Sequence, residues 1–157
     1  SFLENGGEII TVGAATSLAY HLNLPVSNAL VEIVDGKERS LPGDKYYIPG
    51  SILQIQVDNS ASANYGMGET ADILFNNSPV FKLAPDAAMN GVKPLAWFGT
   101  EPPLRSGWAY GQHYLKNGVA AFEAQVGKGK FYAYGPEITF RGQSHGTFKM
   151  LFNGLYQ

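Results

Sequence analysis

The 157 residues suffice for one domain with a buried core; hydrophobic residues are 45% and charged residues 15%, the latter low against a usual ~25%. With 19 Gly, 9 Tyr and 9 Phe, the composition indicates a folded, sheet-rich chain and excludes a disordered one. A formal net charge of -2 without a basic run excludes a nucleic-acid footprint, zero Cys excludes disulfides, thiol nucleophiles and Cys-ligated zinc, and no apolar run approaches the ~20 residues of a membrane span.

The chain opens on Ser1-Phe2-Leu3-Glu4-Asn5-Gly6-Gly7, which reads as the end of a helix with Gly at its C′ position. A domain seldom begins on the last turn of a helix, so sequence upstream of Ser1 is expected. Glu8 to Val12 is a short β-branched run between glycines, the pattern of a buried parallel strand. Gly13-Ala14-Ala15 turns the chain, and Thr16 to Leu22 reads as a helix with Thr16 or Ser17 near its N-cap. Leu24-Pro25 stops it. Residues 23–50 are weakly patterned, with a strand at Leu30 to Val34 and a turn at Pro42-Gly43-Asp44.

From Ser51 the texture changes to short strands. Ile52 to Val57 alternates as a half-buried strand does. Ala71 to Phe75, Val80 to Leu83 and Val92 to Phe98 follow, separated by Asn, Pro-Asp and Asn-Gly breakers. Val119 to Val126 and Lys130 to Tyr134 flank Gly127-Lys128-Gly129, a hairpin with a three-residue connection. That same Gly-Lys-Gly-Lys run lacks the spacing of a phosphate loop and joins two strands. Thr147 to Tyr156 closes the chain as a helix, with Phe148, Leu151, Phe152 and Leu155 on one face. The parts are thus an α/β part (1–50), a β-rich part (51–118) and a hairpin plus closing helix (119–157), within one domain.

Two segments carry a resemblance. Gly13-Ala14-Ala15-Thr16-Ser17 follows the first strand, and Tyr134-Gly135-Pro136-Glu137 follows the hairpin strand. This resembles class I glutamine amidotransferases, whose nucleophilic Cys sits in a G-x-C-x-G elbow and whose His and Glu follow as H-P-E. Ala15 stands at the Cys position and Gly135 at the His position; Glu137 alone keeps the residue type. The resemblance implies an α/β fold: a partial flavodoxin-like sheet with a β-rich extension and a closing C-terminal helix. A nucleophile needs a base, and the base a third group to orient it. Ala and Gly supply neither.

A second resemblance covers more of the chain. RSGWAYGQHYL, then GVAAFEAQVGKGKFYAYGPEITFRGQSHGTFKMLFNGLY, with FLENGGEIITVGAATSLAYHLNLPV and YYIPGSILQIQVD, is similar to the C-terminal region of bacterial zinc carboxypeptidase family proteins. It implies a secreted or periplasmic parent that trims peptide termini with zinc. The His-x-x-Glu of that peptidase does not occur here: His21 is followed at the third place by Leu24, His113 by Lys116 and His145 by Phe148. Zinc is therefore expected only in a peptidase domain outside this chain.

Other residues invite readings of their own. Ser17 and His21 lie four apart on the expected helix and could share a face as a serine hydrolase dyad, but nothing nearby supplies an oxyanion hole or an obvious acid partner. Arg141 and His145 precede the closing helix, as an anion site or as a loop held by capping and an Arg141–Glu137 pair. His113, Asp44, Asp58 and Glu69 follow no known metal-ligand spacing. Trp97, Trp108, Tyr110 and Tyr114 either fill the core, cover a face that meets the parent peptidase, or bind sugars or peptides by stacking. The sequence thus describes an accessory domain without catalysis, its partner being the peptidase domain or an upstream fragment. Alternatives are a carbohydrate- or peptide-binding module and a serine hydrolase. Upstream strands, if missing, leave a sheet edge through which two copies would pair.

Overall fold

A computed structural model of the chain describes residues 2–142 and 144–156. Ser1 and Gln143, which fall in the expected helix end and in the loop before the closing helix, lie outside the described residues. The elements in chain order are β1 (Glu8–Val12), α1 (Leu18–His21), β2 (Val26–Asn28), β3 (Val31–Val34), β4 (Lys37–Ser40), β5 (Ser51–Val57) and β6 (Thr70–Phe75). Then come β7 (Phe81–Leu83), β8 (Val92–Trp97), β9 (Leu104–Ser106), β10 (Val119–Val126), β11 (Gly129–Tyr134) and α2 (Phe148–Leu155).

The opening turn is the C-terminal stop read from the sequence. Gly7 N–H donates to Phe2 O and Gly6 N–H to Leu3 O, both at 3.0 Å, with Gly6 at φ +100°. This is the bond pair of a Schellman motif, and only Gly adopts that φ without strain.

The main sheet runs β1-β11-β10-β8-β5-β6, with β7, β2 and β9 attached at its flank. β1 pairs with β11 in parallel, Glu8 opposite Lys130 and Val12 opposite Tyr134. The pairs beyond it along that path are antiparallel. The sheet is therefore a flavodoxin-like parallel edge continued into an antiparallel extension. β1 lies at the end of the path and pairs on one side.

Two apolar clusters cover the two faces. β11 divides itself between them, because successive strand residues point to opposite sides. Tyr132 and Tyr134 join Leu53, Ile55, Phe75, Phe98 and Met150. Phe131 and Ala133 join Leu3, Ala19, Phe81 and Phe122. α2 thus lies on the first face and α1 on the second.

Three details near the two motifs depart from the sequence reading. Val126 pairs directly with Gly129, so the hairpin loop has two residues, not three. Gly127 at its first position has φ +61°, as a type II′ connection requires. The expected helix Thr16–Leu22 is a 3-10 turn over Gly13–Ser17 followed by the four-residue α1. Thr16 does not cap it; its hydroxyl donates back to Gly13 O at 2.6 Å.

The closing helix exists, but its face is rotated. Met150 and Gly154 are buried, while Phe152 and Leu155 are exposed. The stripe Thr147-Met150-Leu151-Gly154 replaces Phe148-Leu151-Phe152-Leu155, a phase change of one residue, ~100°. Gly154 permits it: a Cβ there would lie 2.7 Å from Ile10 Cδ1. Asn153 fixes it by donating to Ala63 O at 3.1 Å and Tyr65 O at 3.0 Å.

Residues 23–50 hold more order than their pattern suggested. β3 and β4 form a separate hairpin, Val34 opposite Lys37. Its loop is Asp35-Gly36, with φ +51° and +73°, the two positive angles of a type I′ turn.

Candidate functional site

The parallel pairing brings the two motifs to one end of the sheet. Val12 and Tyr134 are register partners, so the elbow and the Gly135-Pro136-Glu137 segment leave side by side. A Cβ on Gly13 would lie 4.0 Å from Glu137 Oε1. Ala15 is exposed and presents a methyl group.

Gly135 is closed by backbone as well as lacking a side chain. It is buried, and its N–H donates to Ala120 O at 2.9 Å. A Cβ built on it would sit 2.0 Å from Pro79 O and 3.1 Å from Ala120 O. No side chain, and so no imidazole, fits there unless the Pro79 segment moves. Glu137 is half-buried, and its N–H donates to Leu74 O at 3.2 Å. Among the described residues it forms no ion pair with Arg141, contrary to the pairing expected for this loop. Arg141 sits at φ +47°, and its guanidinium carbon lies 5.0 Å from the centroid of the Phe140 ring.

Beside the elbow lies a cavity of about 450 Å³, lined by Ser17, Tyr20, Asn28, Tyr46, Tyr47 and Asn77 among others. That volume falls within the ~300–1,000 Å³ typical of ligand sites. Among the described residues no Asp, Glu, Lys, Arg or His lines it. Tyr46 is 7% exposed, and its hydroxyl has no partner among the described residues. Burial pushes its phenol well above the ordinary value. A buried hydroxyl left unpaired costs ~1–3 kcal/mol. Burial also raises the Tyr20 phenol. Ser17 and His21 are both exposed, and no hydrogen bond joins them among the described residues.

The aromatic group divides. Trp97 and Tyr114 pack against the two cores. Trp108 and Tyr110 are 55% and 48% exposed, so they do not fill the core of this chain. Their rings are nearly parallel, 8° apart with centroids at 6.0 Å. Tyr47, 44% exposed, meets Trp108 edge-on at 6.0 Å. The sequence reading did not single out Tyr47, because nothing local connects it to a segment some sixty residues away.

The backbone under these rings is held firmly. Ser51 Oγ donates to Trp108 O at 2.6 Å and accepts from Trp108 N–H at 2.9 Å. Tyr47 and Tyr110 exchange both N–H···O bonds at 3.0 Å. Gly107 and Gly111 bracket the segment at φ +98° and +73°. A Cβ on Gly111 would meet Lys45 O at 2.2 Å, so the bracket closes only with glycine.

The remaining candidates do not converge. His145 lies in the 3-10 turn before α2 with its ring 5.3 Å from Phe148, and His113 leans on Tyr114 at 4.2 Å. Asp58 accepts from Ser60 N–H and Oγ at 3.1 and 2.5 Å in a local turn. Among the described residues no three His, Asp or Glu gather as a metal site.

No protein-family model matches the chain, and no curated protein matches it in sequence. Solved structures match its fold. A protein described as a GMP synthase component from Thermoplasma acidophilum superposes at TM-score 0.57 and 13% identity, over 95% of this chain and 56% of that one. A β-galactosidase from Bacillus circulans sp. alkalophilus does so at 0.54 and 12%, over 99% of this chain and 19% of that one. A ThuA-like protein from Bacteroides uniformis does so at 0.51 and 11%, over 98% and 59%. The chain thus spans between a fifth and three-fifths of the structures it is similar to. At these identities the likeness is one of fold: a flavodoxin-like sheet with a β-rich extension and a C-terminal helix.

Proposed function

We propose that this chain is a non-catalytic accessory domain that positions or stabilises another part of a larger protein. The observation that carries the reading is the closure of position 135. The frame that would hold a nucleophile and a base is kept, yet the base position is occupied by the Pro79 and Ala120 carbonyls. The recurrence of this fold as 19% of a β-galactosidase chain supports a domain that serves a larger whole. The parent in this proposal is a zinc carboxypeptidase-like protein, on the strength of the sequence resemblance. Its zinc and its peptide chemistry would reside in the peptidase part.

Ammonia release from glutamine and hydrolysis of peptide substrates by the chain test the reading. Rates equal to those without protein support it. Saturable turnover that disappears in Glu137→Gln contradicts it.

A further inference from the structure

We propose that Tyr47, Trp108 and Tyr110, together with the adjoining cavity, form a binding site for a neutral saccharide. None of these residues belongs to the vacated amidotransferase positions, so the site stands whether or not the chain is catalytic.

Three observations carry it. The first is the platform. Two exposed rings stack on each other and a third meets one of them edge-on, which leaves a cluster of three exposed aromatic side chains. The negative faces of such rings attract the weakly positive C–H face of a pyranose. The second is pre-organisation. Four hydrogen bonds from Ser51 and Tyr47 to this segment, bracketed by Gly107 and Gly111, hold it before any ligand arrives. A surface meant to be covered by a mobile loop needs no such frame; a recognition surface gains affinity from it.

The third is the chemistry of the cavity. Tyr47 belongs both to the platform and to the cavity wall. The wall offers hydroxyl and amide groups from Ser17, Asn28 and Ser40 and no charge. Lys45, next to Tyr46 in sequence, pairs with Glu32. Neutral hydrogen-bonding groups next to stacked aromatics suit a polyhydroxylated ligand without phosphate, carboxylate or ammonium. A phosphorylated or acidic ligand would find no cation in this wall, and a basic peptide no carboxylate.

The experiment is a screen of the chain against an array of neutral, acidic and amino oligosaccharides and uncharged peptides. Calorimetry on the best binder follows, with Trp108→Ala, Trp108→Phe and Tyr47→Ala. Circular dichroism confirms that each variant folds, as exposed side chains permit. The expected result is binding of a neutral oligosaccharide, weakened by about tenfold or more (~1.4 kcal/mol) in Trp108→Ala and partly restored in Trp108→Phe. No neutral oligosaccharide bound at millimolar concentration overturns the proposal. So does preference for acidic glycans or peptides, or binding indifferent to Trp108→Ala and Tyr47→Ala.

Discussion

Replacing Gly135 with alanine adds one methyl group where the structure has no room for it. The new Cβ would lie 2.0 Å from Pro79 O and 3.1 Å from Ala120 O, against a contact distance of ~3.5 Å or more. Relief requires the Pro79 segment to retreat, or β11 to lift from its neighbour at its end. The second route lengthens the 2.9 Å bond from Gly135 N–H to Ala120 O. Overpacking a tight site costs ~1–3 kcal/mol, and a weakened backbone bond adds ~0.5–1.5 kcal/mol. The sum is ~1.5–4.5 kcal/mol, a fall in Tm of ~3–18 °C for a chain of this size. Ala15→Cys, at the exposed partner position, is the control and stays within ~0.5 kcal/mol. Urea unfolding followed by circular dichroism measures both. A Gly135→Ala protein within ~0.5 kcal/mol of the unsubstituted chain would show that the position is open, and the structural basis of the vacated site would fail.

Three further outcomes follow from the fold. In alkali the buried phenols destabilise the chain: burial, then the nearby Glu8 and Glu123 carboxylates, pushes Tyr132 up to about 12, and burial raises Tyr46 and Tyr134 further still. The unfolded chain releases these protons from pH ~10 upward while the folded chain holds them, so stability is intact below pH ~10 and falls above it by up to ~1.4 kcal/mol per unit for each phenol; denaturant titrations that show no loss between pH ~10 and ~12 would contradict this. On α2, Met150→Ala costs ~2–5 kcal/mol while Phe152→Ser stays within ~0.5 kcal/mol, and the reverse ranking in thermal melts would restore the face expected from the sequence. The one-sided pairing of β1 predicts self-association through that edge, so light scattering should give a dimer mass that shifts to monomer with Glu8→Pro, whose N–H faces away from β11.

How much of this was legible depended on whether a residue's neighbours in sequence decide its place. Glu8–Val12, Ser51–Val57 and the β10–β11 hairpin could be read because their apolar period and turn glycines are local signals. The resemblance carried by the elbow and Gly-Pro-Glu motifs implied a flavodoxin-like sheet, and the parallel β1–β11 pair is its edge. β4 escaped notice because Lys37-Glu38-Arg39-Ser40 is exposed throughout and has no apolar alternation. Its Asp35-Gly36 turn was a readable hairpin signal that the weak flanking pattern obscured. The period of α2 was correct and its phase was not, since Gly154 and Asn153 act through contacts with β1 and the 62–65 turn that no local pattern encodes. The same holds at the sites. That position 15 lacks a nucleophile is visible in the residues. That position 135 is sealed by Pro79, and that Tyr47 completes the surface of Trp108, arise only from long-range packing.

Covalent capture tests the central claim without requiring knowledge of a substrate. The chain is incubated with a fluorophosphonate and with a diazo-ketone analogue of glutamine, and its intact mass is recorded. An accessory domain with a sealed base position keeps its unmodified mass under conditions that label an active hydrolase to completion. A single stoichiometric adduct, at Ser17 or any other side chain and lost when the protein is unfolded first, would contradict it.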